Sequence, residues 1–133
     1  MASTYRQRYF GEEKENRIQY PYKGQARFLQ ICLDYEGTDS PLTCTVDGNN
    51  LREVAIKNGV KDIVSLYDNG GTELHPSKEN VVQQFIEMAD RCHPGDIMIF
   101  QYSGHGTHTE DQDGDESDGQ DEAFCLTTAD GQD

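Results

Sequence analysis

The chain has 133 residues, 34% of them hydrophobic, and a formal net charge of -14. That length suits one domain with one core and is too short for two. The charge argues against nucleic-acid and anionic-membrane partners, since both need basic patches. No run approaches a membrane span, and the opening MASTYRQRYFGEEKENRIQY lacks the apolar core of a secretory leader. Cys32, Cys44, Cys92 and Cys125 form no CxxC pair, so the expected compartment is the cytoplasm, with reduced thiols.

Residues 1–25 are polar and read as an extended arm without a core of its own. From residue 26 the pattern changes. ARFLQICLDY (Ala26 to Tyr35) is a short apolar run of the kind a buried strand carries. EGTDSPL is a turn-rich loop. From Asp47 to about Asn58, Leu51, Val54 and Ala55 share one face at i, i+3, i+4, and Gly59 stops a helix that begins on an acid. KDIVSLYD (Lys61 to Asp68) reads as a second strand. The clearest helix runs from Ser77 to Cys92, with Ser77 as N-cap and Val81, Val82, Phe85, Ala89 and Cys92 as its apolar stripe. DIMIFQYS (Asp96 to Ser103) is a third strand, and EAFCLTTAD (Glu122 to Asp130) a fourth. Alternating strands and helices of this kind build a mainly parallel α/β sheet, with the site at the carboxyl ends of the strands.

Two features stand at that end. His105 lies between two glycines just past the third strand, where an imidazole can trade a proton near neutral pH and a substrate chain can approach closely. His75, His93 and His108 have no such setting and read as surface loop residues. A zinc site pairing His105 with His108 is disfavoured, because a Gly-rich loop does not fix two rings on one face. Beyond the histidine, eight acids and no base lie between Glu110 and Glu122; without them the chain holds 17 acids against 11 bases. Asp111, Asp113, Asp115 and Glu122 match positions 1, 3, 5 and 12 of a helix-loop-helix calcium motif. Glu116 stands where that motif wants glycine, and the flanks read as strands, so the motif is rejected. A solvated, self-repelling loop and a Ca²⁺ site both remain open, with the density of hard oxygen ligands favouring the ion.

FQYSGHG followed by DGDESDGQDE is similar to the catalytic-histidine region of metacaspases, the caspase-like cysteine peptidases of plants, fungi and protists. RFLQICLDYEG, TCTVDGNNLREVA, HPSKENVVQQF and HPGDIMIFQYSGHG resemble other family segments in the family's order, so the resemblance spans about residues 19 to 133. It implies a caspase-like three-layer α/β sandwich, with residues 26–133 forming a large-subunit domain that is incomplete in this chain. It also implies a calcium-dependent endopeptidase that cleaves peptides and proteins after Arg or Lys. By position, His105 would be the general base and the Gly106 N–H would help hold the oxyanion. Asp47 would line the pocket for the basic P1 side chain, with Cys44 nearby. Asp118, Asp121 and Glu122 would belong to the calcium region. The family's Asp-x-Cys-His-Ser-Gly nucleophile segment has no counterpart in these residues. Cys32, Cys92 and Cys125 read as small core hydrophobes and Cys44 lies in the wrong segment, so this chain alone is expected to be inactive. The remainder of the peptidase would be its partner. A non-catalytic calcium-binding or regulatory module of the same fold is the other reading.

Overall fold

A computed structural model describes residues 24–128; the expected N-terminal arm, apart from its last two residues, lies outside them. The element order is β1 (Ala26–Cys32), α1 (Cys44–Lys57), β2 (Asp62–Tyr67), α2 (Lys78–Arg91), β3 (Ile97–Ser103), β4 (Gly106–Glu110) and β5 (Gln120–Phe124). Strands β2, β1 and β3 lie side by side in that order, and both pairings are parallel. Every residue from Arg27 to Leu33 is buried, as a central strand covered on both faces must be.

The two faces differ. Leu29, Ile31 and Leu66 point to one side, where they meet Val81 and Met88 of α2. Each fully buried aliphatic side chain there stabilises by roughly 1.5–3 kcal/mol. The opposite face carries Gln30, Ser65, Tyr67 and Gln101. Gln30 Nε2 donates to Gln101 Oε1 (2.9 Å) and to the Gly48 carbonyl of α1 (3.0 Å), while Ser65 and Tyr67 hydroxyls donate to Gln30 Oε1. With α1 on this side and α2 on the other, the molecule has three layers, as expected.

Several boundaries and faces differ from expectation. The first strand leaves the sheet after Cys32, because Tyr35 adopts a left-handed backbone (φ 51°). Helix α1 starts at Cys44, which puts Asp47 in its first turn rather than at its cap. Its buried residues are Thr45 and Gly48, while Leu51 and Val54 stay 45% and 55% exposed. A polar sheet face favours small contacts, and an added Cβ on Gly48 would meet Cys32 Sγ at 2.6 Å and the Tyr67 hydroxyl oxygen at 2.7 Å. Ser77 does cap α2, accepting from the Asn80 N–H. The helix buries Val81 and Met88, however, and leaves Val82, Phe85 and Ala89 exposed. Cys92 is its C-cap and only half-buried.

The expected fourth strand is not part of the parallel sheet. Gln120–Phe124 pairs antiparallel with β4, Gly106 facing Phe124 and Glu110 facing Gln120, so the acidic stretch is the turn of a two-stranded ribbon. His108 therefore lies in a strand rather than a loop, and Cys125 falls just after β5. His75 is half-buried, its Nε2 3.0 Å from the Thr127 hydroxyl. No helix among the described residues is long and apolar enough to cross a membrane.

The amino ends of the three parallel strands are tied by charge. Arg27, with its side chain only 10% exposed, donates to Asp62 (2.6 Å) and to Asp96 (3.3 Å), and Arg91 joins Asp62 from α2 (3.0 Å). Hydrogen bonding from Arg91, then from Arg27, holds the Asp62 carboxyl below the ordinary value of 3.8. The backbone N–H groups of Gln25 and His93 do the same for Asp96. Both folded values are depressed, so the stabilisation is complete above the unfolded carboxyl value and is lost as pH falls through the folded one. The urea midpoint should stay level down to about pH 4 and drop below it. Asp62→Asn should lower the neutral midpoint and flatten the acid drop; an equally steep drop in that variant would exclude Asp62 as a source.

Candidate active site

Cys32, Tyr67 and Ser103 are partners at the carboxyl ends of β1, β2 and β3, and the chain segments beyond them form the site. Asp68, the first residue after β2, reaches across to β1. Its two carboxylate oxygens accept the backbone N–H groups of Asp34 and Tyr35, each at 2.8 Å. Asp34 in turn accepts the Thr45 backbone N–H (2.8 Å) and the Thr45 hydroxyl (2.6 Å). Thr43, at the N-cap of α1, makes no side-chain cap bond, so Asp34 satisfies that orphan donor from a distance. The turn Asp34–Tyr35 thereby fixes the start of the helix that carries Cys44 and Asp47.

Asp47 is exposed, Cys44 is half-buried, and all four cysteines are unbridged. Burial first, then the negative fields of Asp34, Asp47 and Asp68, push the Cys44 thiol above its ordinary value. A nucleophilic thiolate needs the opposite environment. Cys32 is pushed further, to about 12, by burial. Of the three acids, Asp34 and Asp68 are engaged by backbone N–H groups and Thr45, while Asp47 is exposed.

His105 follows β3. Its Nε2 lies 2.7 Å from the Ser40 carbonyl oxygen, in the loop after β1. A carbonyl only accepts, so this geometry puts a proton on Nε2, and in the neutral ring Nδ1 is then the acceptor. The ring packs against that of Tyr35, centroids 4.6 Å apart. Neither flanking glycine has a positive φ. A Cβ on Gly104 would lie 2.6 Å from the Tyr35 hydroxyl oxygen and 2.7 Å from that of Tyr102. Gly106 is exposed, opens β4, and has room for a side chain. A cleft of about 600 Å³ runs beside it, lined by Tyr102, Gly104, Gly106, Thr107, His108 and Phe124. Neither Asp47 nor Cys44 lines that cleft.

The acidic turn is ordered by its own backbone. Asp111 accepts the N–H groups of Asp113 (3.1 Å) and Gly114 (2.6 Å), and Asp121 accepts that of Gln112 (3.2 Å). The Gly114 N–H is the main reason the Asp111 carboxyl sits below its ordinary value. Oxygens of Asp111, Asp113, Asp115 and Asp121 lie within 4.8 Å of one another. Of the expected calcium residues only Asp121 belongs to this group. Asp118 accepts the Gln120 N–H instead, and Glu122 stands opposite His108 in the ribbon. Four converging carboxylates fit a hard cation such as Ca²⁺ better than a soft one.

A parallel α/β sheet with a glycine-flanked histidine past its third strand defines the caspase-like class of fold. The sequence profile of the metacaspase, peptidase C14 domain matches residues 26–132, and the chain belongs to the metacaspase family. It is 38% identical over 106 residues to metacaspase-1A of Neurospora crassa, covering 76% of this chain and 23% of that protein. It is 35% identical over 120 residues to metacaspase-1 of Cryptococcus neoformans, covering 86% and 26%. The crystal structure of a protein from Geobacter sulfurreducens is similar with a TM-score of 0.61 at 27% identity, over 77% of this chain and 39% of that one. The chain thus spans about a quarter of the length of the curated relatives it matches.

Proposed function

We propose that these residues form the histidine-bearing part of a cytoplasmic, calcium-dependent cysteine endopeptidase that cleaves after Arg or Lys. The observation that carries the reading is the Ser40–His105 contact, which leaves Nδ1 as a proton acceptor at the carboxyl end of β3. A thiol from the remainder of the peptidase would give its proton to Nδ1, and the thiolate would attack the scissile carbonyl. The Gly106 N–H would face the developing oxyanion, and His105 would return the proton to the leaving amine. Asp47, with Cys44 beside it, would hold the basic P1 side chain. Asp121, joined by Asp111, Asp113 and Asp115, would hold Ca²⁺, whose charge would offset that of the turn at the far end of the β4–β5 ribbon.

The partner that completes the site would dock along β3. Among the described residues that strand has β1 alone as a neighbour, and Ile97, Ile99 and Phe100 are 49%, 43% and 36% exposed. An apolar strand edge left unpaired is a ready template for another strand.

The test is hydrolysis of Arg-ending and neutral-ending peptide reporters by the complete peptidase, with and without Ca²⁺. The wild type should cleave the Arg reporter only with Ca²⁺. Asp47→Asn should lower kcat/KM on that reporter by about 10- to 100-fold, the range for one lost charge-assisted contact. Equal wild-type activity on both reporters would remove Asp47 from the pocket, and turnover indifferent to Ca²⁺ would make the acidic turn a solvated hairpin.

A further inference from the structure

We infer that Tyr35 and Tyr102 act together as positioning residues, clamping the main chain of His105 so that its ring stays on the Ser40 carbonyl. The His105 N–H donates to the Tyr35 hydroxyl oxygen at 2.8 Å. The Tyr102 hydroxyl donates to the His105 carbonyl at 2.7 Å. Each of the histidine's two backbone polar groups is therefore held by one phenol. The Tyr35 hydroxyl spends its own proton on the Cys125 carbonyl at 2.7 Å, and the Cys125 N–H returns to the His105 carbonyl at 3.0 Å. That ties the histidine to the segment after β5 as well as to the loop after β1.

Two costs are carried for this arrangement. Tyr35 is a bulky residue held left-handed at φ 51°, a conformation that costs on the order of 1–3 kcal/mol unless its surroundings impose it. Asp68 imposes it by gripping the N–H groups of Asp34 and Tyr35. The second cost is a residue without a side chain: only glycine at 104 leaves space for both hydroxyls. Both phenols are shifted upward, chiefly by burial, so they stay protonated and able to donate throughout the physiological range. A satisfied core tyrosine needs neither a strained backbone nor an empty neighbour.

The clamp makes an asymmetric demand. The His105 carbonyl has a second donor in the Cys125 N–H, whereas Tyr35 is the partner of its N–H. Tyr35→Phe should therefore disturb His105 more than Tyr102→Phe, although each removes one hydroxyl.

The effect on turnover rests on the proposed role of His105, but the positional effect does not, and nitrogen-15 NMR of this chain reads it directly. In the wild type, long-range couplings should show His105 with its proton on Nε2. In Tyr35→Phe the His105 amide should exchange about fivefold faster, the loss of one net hydrogen bond, and the ring should become a mixture of tautomers. Tyr102→Phe should give a smaller change of the same kind and serves alone if Tyr35→Phe does not fold. Tyr67→Phe, which loses hydroxyl bonds to Gln30 and Asn49 on the other sheet face, should leave His105 unchanged. In the complete peptidase, Tyr35→Phe should lower kcat about tenfold with KM unchanged. A single Nε2-H tautomer and unchanged exchange in both clamp variants, or the same disturbance in Tyr67→Phe, would overturn the clamp.

Discussion

Replacing His105 with alanine in the complete peptidase should cost at least about a thousandfold in kcat, the scale on which removal of one member of a nucleophile–base unit acts. The fold should survive. The side chain is only half-buried, and the bonds that hold this segment run through the backbone N–H and carbonyl, which alanine keeps. What disappears is the Ser40 contact and the stack on Tyr35, both made by the ring. Unchanged far-ultraviolet circular dichroism together with lost turnover is the expected pair of results. Retained turnover would mean that the general base is elsewhere.

The largest expected effect on stability comes from Gly48→Ala. Two contributions oppose each other. Alanine favours a helix interior over glycine by about 1 kcal/mol. Against this, the new methyl would lie 2.6 Å from Cys32 Sγ and 2.7 Å from the Tyr67 hydroxyl oxygen. Cys32 and Tyr67 are themselves buried in the sheet, so neither can swing aside freely. Overpacking of this kind costs about 1–3 kcal/mol, and lifting α1 would also strain the 3.0 Å bond from Gln30 to the Gly48 carbonyl. The clash wins, with net destabilisation of about 1–2 kcal/mol. It should appear as a lower urea midpoint with an unchanged slope. A midpoint equal to or above that of the wild type would show that α1 sits farther from the sheet than the structure has it.

Much of this architecture is legible in the residues. The largely apolar run before Asp34 announces a central strand, Ser77 announces a helix start, and IMIFQYS announces the strand that delivers His105. The helix faces are not legible, for a physical reason. Periodicity assumes that a helix turns its apolar side inward, but α1 lies on a sheet face lined by Gln30, Ser65 and Gln101. There Thr45 and Gly48 make the contact, and Leu51 and Val54 face away. Strand β4, GTHTE, has no apolar signal at all and exists through its pairing with β5. The position of His105 could be read locally, while its supports could not. Ser40, Tyr35 and Cys125 meet it from 65, 70 and 20 residues away in sequence, and only the turn held by Asp68 brings the first two there. The tyrosine directly after Asp34 and the one before SGHG were the available signals.

The ion-paired arginine of β1 also has a bearing on how the chain is made. Its two carboxylate partners lie 35 and 69 residues farther along. Among the described parallel strands, the most deeply buried one is thus made before both of its neighbours, and its second neighbour comes last. During synthesis the stretch from Phe28 to Leu33 has no edge partner until Asp62–Tyr67 has emerged, and only one until Ile97–Ser103 follows. A short, apolar, uncharged segment left waiting in this way is prone to pair with a copy of itself. Arg27 at its start and Asp34 at its end are the charges that guard it during that interval, so the residues that order the finished sheet also protect the nascent one.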